Sequence, residues 1–93
     1  MRYLRGNRGS APLRRAVDAS PDDLQARFDL AVDLAGEGDR RGAVDHLIEI
    51  MRRDREWNEG AARTKLLQIF EAVGLEDPWV VATRRRLSKI LFG

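Results

Sequence analysis

Few residues in this chain could do acid–base or metal chemistry. His46 is the only histidine, and there is no cysteine. A transition-metal site needs several imidazole or thiolate ligands brought together. His46 therefore predicts a helix-surface histidine, not a ligand. Asp22-Asp23 and Glu76-Asp77 are paired carboxylates. Both pairs fall where a helix is expected to begin, and there negative charge complements the positive end of the helix dipole. Gly36-Glu37-Gly38 follows a helical pattern instead of a strand, so it predicts a turn, not a phosphate loop. Trp57 and Trp79 both flank expected helix starts, where a ring closing over the core edge is preferred over a ligand platform. These residues assemble no catalytic constellation and call for no metal or other cofactor. The chain is not expected to be an enzyme, and function has to be argued as binding.

The elements that position these residues are organised around Leu24 to Trp57. Leu24, Phe28, Ala31, Leu34 and Ala35 recur at spacings of three and four, one face of a helix. Ser20-Pro21 predicts its start, a serine cap followed by a proline whose missing N–H costs nothing. Gly36-Glu37-Gly38-Asp39 predicts its end, with Asp39 capping the next helix. That second helix turns Ala43, Val44, Leu47, Ile48, Ile50 and Met51 inward and Arg40, Arg41, Asp45, Glu49, Arg52 and Arg53 outward. So brief a turn between two helices forces them to pack antiparallel.

Helix is expected on either side. A short one, roughly residues 12–19, places Leu13, Ala16 and Val17 on one face. After the central pair, Asn58 predicts an N-cap, with Trp57 folding back on the first turn as a hydrophobic staple. The helix that follows buries Ala62, Leu66, Leu67, Ile69, Phe70 and Val73 and stops at Gly74. Asp77-Pro78 predicts the start of the last helix, which buries Val80, Val81, Leu87, Ile90, Leu91 and Phe92. The fold class is all-α, a right-handed array of antiparallel helix pairs.

The 93 residues make one small domain, with 43% hydrophobic and 34% charged residues. No apolar run approaches the roughly 18 residues that would span a membrane, and the N-terminus lacks the apolar segment of a secretory signal. Cytoplasm is the expected location. The net charge of +2 hides an asymmetry. Arg2, Arg5, Arg8, Arg14 and Arg15 lie within the first fifteen residues, which hold no acid, so the remainder is mildly acidic. Residues 1–12 are expected to be a flexible basic arm, and 13–93 the helical domain.

The frame Leu30-Ala31, Leu34, Gly38-Asp39, Ala43, Leu47, Ile50 resembles a tetratricopeptide repeat, a 34-residue helix–turn–helix unit. Leu13, Ala16, Val17 and Pro21 resemble the end of a preceding repeat in the same register. Arg27 stands where the family usually carries tryptophan, and Arg55 replaces the closing proline. Continuing the register places Lys65 and Gln68 where small or apolar residues belong, so the last helix pair departs from the frame, as an end unit with a polar outer face can.

A second resemblance is carried by Arg53-Asp54-Arg55, Trp57-Asn58, Gly60-Ala61-Ala62-Arg63, Leu66-Leu67, Phe70 with Gly74, Asp77-Pro78, Arg85-Arg86-Leu87 and Leu91-Phe92. Over about residues 13–92 the chain resembles the C-terminal helical domain of thioredoxin-like co-chaperones of the YbbN/CnoX type. The thioredoxin domain is absent from these residues, and with it any cysteine chemistry. The resemblance implies a module that engages client polypeptides or hands them to a larger chaperone.

The expected function is thus protein–protein interaction, by burial of a partner's apolar segment against the helix pairs. Gln25, Phe28 and Val32 on the first helix of the central unit are candidate contacts. Leu91 and Phe92 on the last helix are others, with Arg85 on the rim to select acidic neighbours. Nucleic-acid binding through the arginine-rich N-terminal arm is the alternative, since the five arginines of residues 1–15, without acids, suit a phosphate backbone. Tyr3 alone offers little base stacking. A purely structural or homodimerising unit is the third reading.

Overall fold

The computed structural model describes residues 10–92, and among these it holds five α-helices, one 3₁₀ turn and no strand. The helices are α1 (Ser10–Ala19), α2 (Leu24–Gly36), α3 (Arg40–Arg53), α4 (Ala61–Val73) and α5 (Pro78–Phe92), with the 3₁₀ turn at Trp57–Gly60. The all-α array of helix pairs expected from the apolar spacing is what the chain adopts. Of the proposed basic arm, only Ser10–Pro12 fall among the described residues, as the first turn of α1.

Helix α3 is the hub. It packs most extensively on α2, then on α4, and also touches α5, while α1 lies on α2. Its six inward residues, Ala43, Val44, Leu47, Ile48, Ile50 and Met51, are all buried. They meet Leu30, Ala31 and Leu34 from α2, Leu66, Ile69 and Phe70 from α4, and Val80 from α5. Burying each large apolar side chain is worth about 1.5–3 kcal/mol, so α3 carries the largest share of the driving force. Ala43 is fully buried, and its small side chain lets the hairpin helices approach closely.

The turn between α2 and α3 follows from its glycine. Gly38 has φ +93°, its N–H reaches the Ala35 carbonyl, and the Asp39 N–H reaches back to Leu34 at 2.9 Å. This six-to-one and five-to-two pattern needs a left-handed residue at that position. Asp39 then caps α3 by accepting from the Gly42 N–H at 2.9 Å. A Cβ on Gly42 would lie 2.5 Å from that carboxylate, so the cap occupies the space a side chain would need.

Two helix starts differ from expectation. Ser20 closes α1 instead of opening α2: its N–H bonds to the Ala16 carbonyl, and Asp23 caps α2 through the Ala26 N–H at 3.0 Å. Asn58 caps nothing. Asn58, Glu59 and Gly60 take φ of 50°, 58° and 81°, a left-handed turn, and α4 begins only at Ala61. Trp57 seats its ring against Phe28, with centroids 5.4 Å apart. That tertiary anchor outweighs the local capping preference. Asp77 does open α5, accepting from the Trp79 N–H at 2.8 Å, and Gly74 does end α4.

The departure of the last pair from the 34-residue frame has a geometric explanation. Leu30, Leu34, Val44 and Leu47 are buried in the α2–α3 hairpin, and Leu66, Phe70, Val80 and Thr83 are buried in α4–α5. Each member of the second set lies 36 positions after its counterpart. The burial pattern of the second pair thus repeats that of the first with two additional residues, which fit in the left-handed turn before α4, although α4 and α5 lie far less closely on each other than α2 and α3 do. Thr83 replaces a leucine and satisfies its buried hydroxyl by donating to the Trp79 carbonyl at 2.7 Å. Leu67, expected in the core, is 40% exposed, and Phe92, also expected there, is 80% exposed.

Candidate protein-interaction surfaces

Two open surfaces carry the residues singled out from the sequence. The first is a groove between α2 and α4, roofed at one end by the start of α3. Val32, 39% exposed, lines it with Ala35, Lys65, Gln68 and Ala72, and Arg40 stands at its end. Lys65 and Gln68, misfits in the 34-residue frame, are groove residues in the true register. Gln25 and Phe28 do not line this groove. The Gln25 amide donates to Asp29 of its own helix at 2.9 Å. Phe28 is half-buried under Trp57, so its ring serves chiefly to hold the turn before α4.

The second surface lies between α4 and α5, on the side away from α3. Leu67, Leu87, Leu91 and Phe92 form its floor and wall, with Arg63 and Arg84 at its margins. Leu91 and Phe92, both named from the sequence as candidate contacts, lie on this surface. Leu67, Arg63 and Arg84 were not foreseen as part of it. In the 36-residue register Leu67 corresponds to the buried Ala31, so the repeat gives no signal of its exposure. Arg85 is exposed in a separate shallow hollow with Val81 and Ser88, which Arg84 also borders.

The arginines of α5 divide by partner. Arg86 pairs with Asp45 of α3 at 2.9 Å, whereas Arg63, Arg84 and Arg85 have no ion-pair partner among the described residues. Arg55 donates to the Leu91 carbonyl at 3.2 Å, tying the chain after α3 to the end of α5. On the opposite side of the array, Arg53 bridges Glu49 of its own helix and Asp22 in the turn before α2. The Arg53 guanidinium holds the Glu49 carboxyl below its ordinary range, against the opposing effect of burial.

His46 is half-buried, not a free surface group. Burial pushes its imidazole below the usual histidine range, and the nearby guanidinium groups of Arg27 and Arg14 add to this. Trp79 closes over the core edge against Phe70, ring centroids 6.3 Å apart and nearly perpendicular. Its free side borders a cleft with Gly38, Asp39, Arg41 and Asp77. Among the described residues no cluster of three or more histidines and carboxylates could hold a metal ion. No described helix is long and apolar enough to cross a membrane. The arrangement offers shape, apolar surface and unpaired cations, the chemistry of polypeptide recognition.

The comparisons with known proteins agree with that geometry. Uncharacterized proteins of Mycobacterium bovis and of two strains of Mycobacterium tuberculosis are each 35% identical to the chain over 76 residues. The match covers 82% of this chain but 25% of each relative, so the chain spans about a quarter of the length of the curated relatives it matches. The family model described as tetratricopeptide repeat matches residues 6–92, from ahead of α1 to the end of α5. Helix pairs stacked on a shared core, a buried small residue at Ala43 and a matching family model over nearly the whole length place the chain in the tetratricopeptide repeat family.

Proposed function

We propose that this chain is a non-catalytic protein-interaction module, the helical half of a thioredoxin-like co-chaperone, which holds client polypeptides or passes them to a larger chaperone. The observation that supports it most is the pair of open surfaces, each offering apolar side chains next to cations. Val32 lies in one beside Lys65 and Arg40. Leu67, Leu91 and Phe92 lie in the other beside Arg63 and Arg84. A partner's apolar segment gains by burial there, and the cations favour partners with acidic neighbours. The mechanism needs no bound cofactor and no reactive group.

The test is suppression of aggregation. A chemically denatured enzyme is diluted into buffer with and without the purified chain, and light scattering is followed. The expected result is suppression that saturates near equimolar chain and weakens in Leu91→Ala and Phe92→Ala. Phe28→Ala is expected to act through stability, since its ring props Trp57. Scattering that the chain leaves unchanged at any ratio would sink the co-chaperone reading.

A further inference from the structure

The α4–α5 pair leaves partly uncovered what the α2–α3 hairpin buries, Leu67 exposed and Leu87 half-buried. At the 36-residue spacing, Leu67 corresponds to Ala31 and Leu87 to Met51, and Ala31 and Met51 are both buried. The first hairpin has a helix on each side, α1 and α4. The second has α3 on one side, and among the described residues no helix packs on the other. Leu67 at 40% and Phe92 at 80% exposure mark the uncovered strip.

The shape and charge of this strip narrow its occupant. It runs between α4 and α5, so the element that fits is a further helix, packed on it as α4 packs on α3. Its margins carry Arg63 and Arg84, neither of which has an ion-pair partner among the described residues. A second copy meeting the strip by two-fold symmetry would set these cations against their own equivalents. A copy stacked head-to-tail would present α1, whose exposed Arg14 and Arg15 outnumber its one exposed acid, Asp18. Like charges at a contact disfavour both arrangements.

We propose that the α4–α5 strip docks an amphipathic helix of a partner protein, one whose leucine-type stripe is flanked by aspartate or glutamate. The inference rests on the protein-interaction reading and names the partner chemistry for one of its two surfaces. Leu67, Leu87, Leu91 and Phe92 receive the stripe, and Arg63 and Arg84 meet the flanking carboxylates.

The probe is a fluorescein-labelled, four-turn helical peptide with leucines three and four apart and glutamates beside them. Its control has lysine in place of every glutamate, and binding is read by fluorescence anisotropy. The glutamate peptide is expected to bind roughly tenfold or more tightly than the lysine peptide, with the preference shrinking as salt rises. Arg63→Glu with Arg84→Glu is expected to invert the preference. Leu67→Ser and Phe92→Ser, each checked for helix content by circular dichroism, are expected to weaken both peptides. These positions are exposed, so the fold does not depend on them. Equal binding of the two peptides, or a preference that survives the double charge reversal, overturns the inference. So does loss of binding in Val32→Glu with none in Leu67→Ser; that result moves the site to the α2–α4 groove and leaves the interaction reading standing. Failure of both peptides overturns the inference too, while the aggregation assay decides the broader reading independently.

Discussion

The Arg27 guanidinium donates to Nδ1 of His46 across 3.2 Å, joining α2 to α3 where repeats of this family usually carry tryptophan. A second nitrogen of Arg27 reaches the Pro21 carbonyl at 3.1 Å, drawing in the turn from α1. An arginine always donates, so Nδ1 must accept, and the neutral imidazole carries its proton on Nε2. The polar pair thus does part of what an indole ring does elsewhere, at the junction of three elements. It does so imperfectly, because the buried Nε of Arg27 has no partner among the described residues.

Protonating His46 removes the acceptor and sets a second cation beside Arg27. The folded-state pKa lies below the ordinary 6.5, so as pH falls the unfolded chain takes up this proton first. The stability contributed by neutral His46 is complete above about pH 6.5 and is lost as pH falls towards the depressed folded value. Asp18 of α1 and Asp45 of α3 oppose the shift but do not cancel it. Thermal melts should show Tm falling as pH drops below about 6.5, and His46→Gln, whose amide oxygen can still accept from Arg27, should flatten that part of the curve. An unchanged slope in the variant would refute the assignment.

Glu59 is a charged residue with φ 58° and no glycine freedom. A non-glycine residue in the left-handed region costs roughly 1–2 kcal/mol. Glu59→Gly is therefore expected to raise stability to urea by about 1 kcal/mol, reduced somewhat by the greater freedom of glycine in the unfolded chain. Gly38→Ala is the converse. Nothing lies within 4 Å of the added Cβ, so its expected loss of about 1 kcal/mol is backbone strain alone.

Ala43 offers the sharpest test of packing. It is fully buried between the helices of the central hairpin, and overpacking a close contact costs typically about 1–3 kcal/mol. Ala43→Leu should lower Tm by roughly 4–8 °C per kcal/mol lost in a domain of this size. A variant that melts with the parent would show that the hairpin helices are not in close contact there.

Asp39→Ala removes the carboxylate that holds the Gly42 N–H. The expected cost is about 1 kcal/mol, readable as an earlier urea midpoint with an unchanged slope. Asp22→Ala should cost far less, because its bridge to Arg53 is solvent-exposed and such pairs contribute about 0–1 kcal/mol.

Much of the fold could be read from the order of residues because the signals involved are local. The stripe of α3 follows a helical period. Gly38, Asp39, Gly74 and Asp77 act on backbone groups only a few positions away. These gave the hairpin, its turn and the fold class, and the same frame pointed to the family.

What the order of residues left open was settled by contacts between distant elements. Asn58 has the chemistry of a cap, yet the Trp57 ring on Phe28 holds the chain in a left-handed turn and delays α4. That delay shifts the second hairpin by two residues and puts Lys65 and Gln68 in a groove, while Leu67, in register with the buried Ala31, stays partly exposed beside Arg63 and Arg84 for want of a covering helix. Local sequence determined where helices form and which faces are apolar, since capping and periodicity operate within one or two turns. The tertiary structure alone decided which apolar residues remain uncovered, because exposure depends on whether another helix arrives to cover them.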